Sequence, residues 1–270
     1  MTEAAIASGS APAQAVAGLD VRLMASLISP ILAARMRVLG RVDSTQRVLL
    51  ETAATLPDRS WVLSDHQEAG RGRRGRAWLT PPGAALALSM LAHSPNHGRW
   101  PGALSLALGV AAAEVVRDLG VPTVQLKWPN DLWVQGRKLG GILVETCAVG
   151  VVAGVGINRQ LPAGARASID QACTDLAELG VDAAPEFLAA ALAEGWNEAF
   201  DTFARCGWDA FHARWDGFDG LAGKRVRVLV GVNDEVHGMA CGVDAHGYLR
   251  VEVEGETKAF SSAEVSVRAP

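Results

Sequence analysis

Between Thr123 and Arg159 the chain sets down three apolar runs, "TVQLKW", "KLGGILVET" and "GVVAGVGINR", with nothing between them long enough for a helix. Parallel strands need a crossover of roughly a dozen residues, so strands joined this closely run antiparallel. The first two are joined by the hairpin-like "DLWVQGR", which turns at Gln135–Gly136. A helix precedes them. In "PGALSLALGVAAAEVVRDLG", Leu104, Leu108, Ala111, Val115 and Leu119 share one face, and Gly120 with Pro122 ends it. A second helix runs from Pro185 to about Arg205 on the stripe Leu188, Leu192, Trp196, Phe200 and Phe203, with Gly207 behind it. A shorter one carries Trp208, Phe211 and Trp215. Upstream, one or two short helices fill Asp20 to Leu39. "GRVDSTQRVLLETAA" reads as a turn and a helix, capped by Ser44 or Thr45, with Val48, Leu49 and Thr52 inward. "SWVLSDHQ" and Ala85 to Leu91 add strands. The pattern predicts an α+β fold, a mixed, largely antiparallel sheet covered by helices on one side.

Past "DGFDGLAGK" the character changes to short alternating strands broken by Asn-Asp, His-Gly and Glu-Gly turns. That predicts a small β-barrel or sandwich. The expected division is an extension over 1–40, its first 19 residues poorly ordered, a main domain over 41–220 and a small β domain over 221–270.

One loop asks for a ligand. "EAGRGRRGRAW" puts four arginines and three glycines into Gly70 to Arg76. Arginine's planar fork matches phosphate or carboxylate, and glycine lets the backbone come close. The formal net charge is −4, so this basic run is a local feature on an acidic body, which favours a small anion over a nucleic acid. The four cysteines are scattered without a C-x-x-C pair, and the six histidines show no metal-ligand spacing. A disulfide framework and a zinc site are therefore not expected, and a cytoplasmic, reducing setting fits. The start shows no secretory pattern, and the apolar patch Leu23 to Ala34, interrupted by Pro30, is too short to span a bilayer.

In "LKWPNDLWVQGRKLGGILVE", Asn130 and Asp131 fall at a strand end, and Lys138 precedes the Gly140–Gly141 pair. A lysine beside bare glycine backbone suits a bound anion, but an ordinary exposed hairpin has the same spacing, and both readings stay open. "GVGIN" holds a G-x-G pair without the rest of a dinucleotide fingerprint, and there is no P-loop. Asn158 there could face an adenine edge or simply end a strand. Trp78, just past the basic loop, could be core or stack on a fused ring.

Taken together, "DSTQ", "HQEAGRGRRGRAW", "LKWPNDLWVQGRKLGGILVE" and "GVGIN" resemble the biotin protein ligase family, in order from about Val42 to the C-terminus. The resemblance implies a class II synthetase-like catalytic domain with an SH3-like C-terminal barrel. It implies ATP-dependent activation of biotin to biotinyl-5′-AMP and transfer to one lysine of a biotin carboxyl carrier protein. By that resemblance Ser44, Thr45, Gln46 and Gln67 hold the biotin head, with Gln46 standing where the family often has asparagine. Arg71, Gly72 and Arg73 fold over the biotin carboxylate and the phosphates, and Lys138, next to Gly141, bridges carboxylate and α-phosphate. Trp78, Asn130 and Asn158 surround the adenine, and Asp131 positions the incoming amine. Lys138, Arg73 and Arg71 are the expected catalytic cations. Mg²⁺ is expected on the substrate phosphates rather than in a protein cage. A disordered basic loop that orders over the adenylate would exclude water from the anhydride.

Two rival readings remain at this point, a lipoate or octanoate ligase or transferase of the same fold and a DNA-binding biotin repressor. Only about forty residues precede the motifs, fewer than a compact DNA-binding domain usually needs. A monofunctional ligase, monomer or weak homodimer, with no nucleic-acid or membrane partner, is the expectation.

Overall fold

The computed structural model describes residues 18–95, 100, 102–230, 234–261 and 265–268. Most of the stretch expected to be poorly ordered, residues 1–17, lies outside the described residues. Two short helices, α1 (Val21–Leu27) and α2 (Pro30–Ala34), come first, and α3 (Thr45–Thr52) follows. The strands up to residue 158 are β1 (Met36–Val38), β2 (Arg41–Val42), β3 (Trp61–Ser64), β4 (His66–Gln67), β5 (Ala85–His93), β6 (Val124–Lys127), β7 (Asp131–Val134), β8 (Arg137–Cys147) and β9 (Gly150–Asn158). Seven of them form one sheet in the order β1-β3-β5-β9-β8-β7-β6. Only the β1–β3 pair in it is parallel. The "SWVLSDHQ" run divides, since β4 leaves the large sheet to pair with β2.

Period-two alternation gives the sheet two unlike faces. Leu86, Leu88 and Met90 of β5 and Val151, Ala153, Val155 and Ile157 of β9 face the main core. This face is covered by α4 (Leu104–Asp118) and by α6 (Pro185–Cys206), which follows the short α5 (Ala163–Ala167). Gly120 ends the α4 segment at φ 108°, and Gly207 ends α6 at φ 66°, conformations that cost a side chain. On α6, Leu188, Leu192, Trp196 and Phe200 are each 0% exposed, burial that stabilises by about 2 kcal/mol per side chain.

The opposite face is not bare. Leu49 and Ala53 of α3 pack on Val62, Leu91 and Val152, so α3 sits across the sheet from α4 and α6. Its buried face is Thr45, Gln46 and Leu49, with Val48 and Thr52 only half-buried, and Ser44 occupies the N-cap without a side-chain capping bond. The helix presents polar side chains inward because the rest of that sheet face is a cavity.

After α7 (Asp209–Asp216) come β10 (Arg225–Val230), β11 (Asp234–Val243), β12 (Leu249–Val253), β13 (Glu256–Phe260) and β14 (Val265–Arg268), an antiparallel sheet in the order β13-β12-β11-β10-β14. Val226, Val228, Val243, Leu249 and Val251 belong to the same buried cluster as Trp128 and Leu132. The Trp128 indole donates to Gly247 O at 3.0 Å. Gly247, at φ 77°, comes so near α4 that a Cβ there would lie 2.8 Å from Ala103 Cβ. Among the described residues, no helix is long and apolar enough to cross a membrane.

Candidate active site

The free half of the second sheet face floors a cavity of about 940 Å³. Ser44, Thr45, Gln46, Gln67, Arg71, Gly72, Arg73, Trp78, Asn130, Asp131, Lys138, Gly141 and Asn158, the residues to which the resemblance gave roles, border it. Glycines make the floor thin. A Cβ on Gly156 would fall 2.3 Å from the Trp78 indole, and one on Gly154 would fall 2.6 Å from Gln46 Oε1. Gly156→Ala is therefore expected to push Trp78 off the sheet and cost about 1–3 kcal/mol by overpacking, read as a lowered denaturant midpoint with altered tryptophan emission. An unchanged midpoint would mean that the indole moves freely.

One end of the cavity is polar and buried. Thr45 N donates to Gln67 Oε1 at 2.8 Å, Thr45 Oγ1 lies 2.8 Å from Ser89 Oγ, and Gln46 Nε2 donates to Val152 O at 2.8 Å. The middle is cationic. A register shift between Leu132 and Trp133 sets Lys138 opposite Trp133 and Gly141 opposite Asp131. Such irregularities re-aim side chains near functional sites. The lysine stem lies over Gly141, where a Cβ would meet Lys138 Cε at 3.2 Å, and Nζ reaches Asp131 Oδ1 at 2.7 Å. Both side chains are 15% exposed, and Nζ stands 5.6 Å from the Trp78 ring centre.

The basic segment is a closed hairpin rather than a disordered loop. Arg71 bridges to Ala77, Gly72 N donates to Arg76 O at 2.7 Å, and Trp78 N donates to Gly70 O at 2.8 Å. Arg74 turns it at φ 58° with Gly75 at φ 73°. Backbone pairing and the seated Trp78 supply an order that glycine content alone does not suggest. Arg71 pairs with Glu145 at 3.2 Å, and Arg73 Nη1 lies 3.5 Å from Asn130 Oδ1. Asn130 is itself fixed, giving Nδ2 to Ile142 O at 2.8 Å. Burial, then the neighbouring Arg74 charge, pulls the Arg73 guanidinium below the usual arginine range, the condition an arriving anion would relieve.

Residues 160–183 carry no clear helix or strand period, yet Ile169, Asp170, Gln171 and Cys173 from that stretch border the cavity. Lys127, Trp133 and Lys224 do so as well. The stretch clasps Lys138, whose N donates to Ala172 O and whose O accepts from Thr174 N, both at 2.9 Å. Asn158 Nδ2 donates to Thr174 O at 2.9 Å. One signal was available. Asp175 and Glu178 have the spacing of a capping turn, and Glu178 N donates to Asp175 Oδ1 at 2.8 Å. Hydrogen bonds from Arg137, then Arg166, hold the Glu178 carboxyl at about 2 against an ordinary 4.5. A depressed carboxylate contributes stability above its unfolded value and loses it as pH falls through the folded one. The stability gap between wild type and Glu178→Gln should therefore be level from pH 7 down to about 5 and vanish between about 4.5 and 2. Acid titration of the unfolding midpoint checks this, and a gap that widens in acid would contradict it.

Residues 38–160 match the Biotin/lipoate A/B protein ligase family, and residues 222–268 match the Biotin protein ligase C terminal domain. The chain is 36% identical over 236 residues to the bifunctional ligase/repressor BirA of Escherichia coli (strain K12), covering 86% of this chain and 73% of that protein. It is 35% identical over 240 residues to the biotin--[acetyl-CoA-carboxylase] ligase of Mycobacterium tuberculosis, covering 86% of this chain and 88% of that protein. The solved biotin protein ligase of Aquifex aeolicus in complex with biotin and ATP superposes with a TM-score of 0.77 at 27% identity, over 87% of this chain and 99% of that one. Identity of 36% and 35% to these relatives over 86% of the chain, together with the fold it shares with the Aquifex aeolicus enzyme, makes the chain a member of the biotin protein ligase family.

Proposed function

We propose that the chain activates biotin with ATP as biotinyl-5′-AMP and passes the biotinyl group to a lysine of a biotin carboxyl carrier protein. The observation that carries this is the convergence of Lys138, Arg73 and Asp131 on one cavity whose far end is a buried row of hydrogen-bonding side chains. The carboxylate oxygen of biotin attacks the α-phosphorus of ATP, and the bond to the β-phosphate oxygen breaks with its electrons, releasing pyrophosphate. Two anions meet there, and charge grows on the phosphoryl oxygens. Lys138 and Arg73 stand ready for that charge, and fixed donors of this kind favour the transition state over the ground state.

In the second step the carrier's lysine gives up a proton, and its nitrogen attacks the biotinyl carbonyl carbon. The carbon–oxygen bond of the anhydride breaks, AMP leaves, and the amide nitrogen loses its second proton to the departing phosphate or to water. Asp131, paired with Lys138 at 2.7 Å, is the carboxylate this reading assigns to the first proton, since the phosphate takes over Lys138 once the adenylate has formed. Trp78, Asn130 and Asn158 enclose the nucleotide base in this reading. Mg²⁺ carried by the nucleotide would neutralise the pyrophosphate's charge.

Biotin-dependent exchange of labelled pyrophosphate into ATP, followed by labelling of a carrier domain, tests both steps. Offering lipoate in parallel distinguishes the nearest alternative, and labelling from lipoate alone would overturn the assignment.

A further inference from the structure

Charge is buried behind the cavity as well as in front of it. Trp61 and Leu63 of β3, and Val155 and Ile157 of β9, face the main core, and the next residues at that spacing are Asp65 and Arg159. They close the core at one end of the sheet, and neither borders the cavity. We propose that Arg159 is a positioning residue for both substrates: from behind the sheet, its guanidinium fork ties the turn that holds Gln67 to the strand end that presents Asn158. The inference rests on the biotin and ATP reading above and deepens it.

The tie runs bond by bond. Arg159 Nη1 donates to Gly83 O at 3.2 Å, and Nη2 donates to Ala183 O at 3.5 Å. Gly83, at φ 69°, gives its own N–H to Asp65 O at 3.2 Å. In the same turn Thr80 accepts twice from Gln67, at 3.2 Å from N to Thr80 O and at 3.3 Å from Nε2 to Thr80 Oγ1. On the other side Asn158 is the neighbour of Arg159 in the chain, and the two backbone carbonyls accept from Leu176 N and Ala177 N at 3.1 and 2.9 Å. One side chain thus braces the end of the cavity assigned to biotin and the end assigned to the nucleotide.

The brace is costly. Asp65 is 8% exposed, and its Oδ1, like Arg159 Nε, is buried without a hydrogen-bond partner among the described residues. Burial pushes the Asp65 carboxyl above the ordinary carboxylate value, against a bond from its own backbone and the charges of His66 and Arg159. Burial likewise pulls the Arg159 guanidinium below the usual arginine range, against Glu186, Asp65 and Asp182. Apolar residues of similar volume would often be as stable at both positions. Local rules broken in this way concentrate at functional sites, and here the broken rule lies directly behind one.

The test is the kinetics of biotin-dependent pyrophosphate exchange in Arg159→Met. Losing the brace should raise the KM for ATP by roughly tenfold, with that for biotin rising as well, and leave kcat within about threefold. A residue that only stabilised the fold would lower the amount of active enzyme, so kcat would fall and both KM values would stay. Methionine strands the Asp65 carboxylate, so Asp65→Asn joined to Arg159→Met is the companion variant. It should regain thermal stability and keep the raised KM values. Arg159→Lys keeps the charge but has no planar fork for two carbonyls, and its KM values should fall in between. Unchanged KM values in either folded methionine variant, or a fall in kcat alone, overturn the proposal. Should neither methionine variant fold, unchanged KM values in Arg159→Lys overturn it equally. A wild type without biotin-dependent exchange overturns the biotin reading itself, and the inference with it.

Discussion

Lys138→Ala is expected to slow biotin-dependent pyrophosphate exchange by roughly 10²–10³-fold, the loss typical of removing one preorganised donor at a developing oxyanion. The structure gives a reason to expect the upper part of that range. Lys138 is the partner of Asp131 at 2.7 Å, so alanine also leaves a half-buried carboxylate facing the place where biotin's own carboxylate must arrive. Like charges brought into one site oppose binding. Adding Asp131→Asn to Lys138→Ala should therefore recover part of the lost exchange, while labelling of the carrier stays low. Exchange and carrier labelling, assayed separately on both variants, check the two halves. Near wild-type exchange in Lys138→Ala would remove the lysine from the chemistry.

Arg73→Gly should act on retention more than on formation. The guanidinium is half-buried, lies 3.5 Å from Asn130, and has its charge disfavoured by burial and Arg74, so an anion beneath it gains a strong charge-assisted bond. Losing such a bond costs about 1.5–3 kcal/mol. Biotinyl-AMP should then escape roughly 10–100-fold faster and modify lysines at random. Labelling of a bystander protein mixed with the carrier reads this directly. Labelling confined to the carrier would show that the hairpin holds the intermediate by other means.

Local rules made much of the framework legible. The turn at Gln135–Gly136, with φ of 51° and 78°, and the tight spacing of the runs around it announced antiparallel neighbours. The α6 stripe and its closing glycine announced a buried helix. Long-range terms were not legible. The parallel pairing of Met36–Val38 with β3 involves three residues, too short a run for its alternation to stand out in the sequence. The order of residues 160–180 depends on Arg137, a hairpin residue distant in sequence, pairing with Glu178. The candidate site was legible as residue types through the family resemblance, since the spacing of Lys138 and its glycine pair alone also fits an ordinary exposed hairpin. The bonding among those residues was not. Thr45, Gln67 and Ser89 meet across 44 positions, and the anchor of Gln46, at Val152, is 106 positions away.

The indole of Trp128 ties two parts of the polypeptide to one fate. It borders the large cavity on one side and is hydrogen-bonded to Gly247 on the other, inside a core to which both sheets contribute. Trimming the gene near codon 221 would thus strip a supporting wall rather than shed an accessory. A substitution at the tip that carries Gly247 therefore reaches the cavity wall through this one ring.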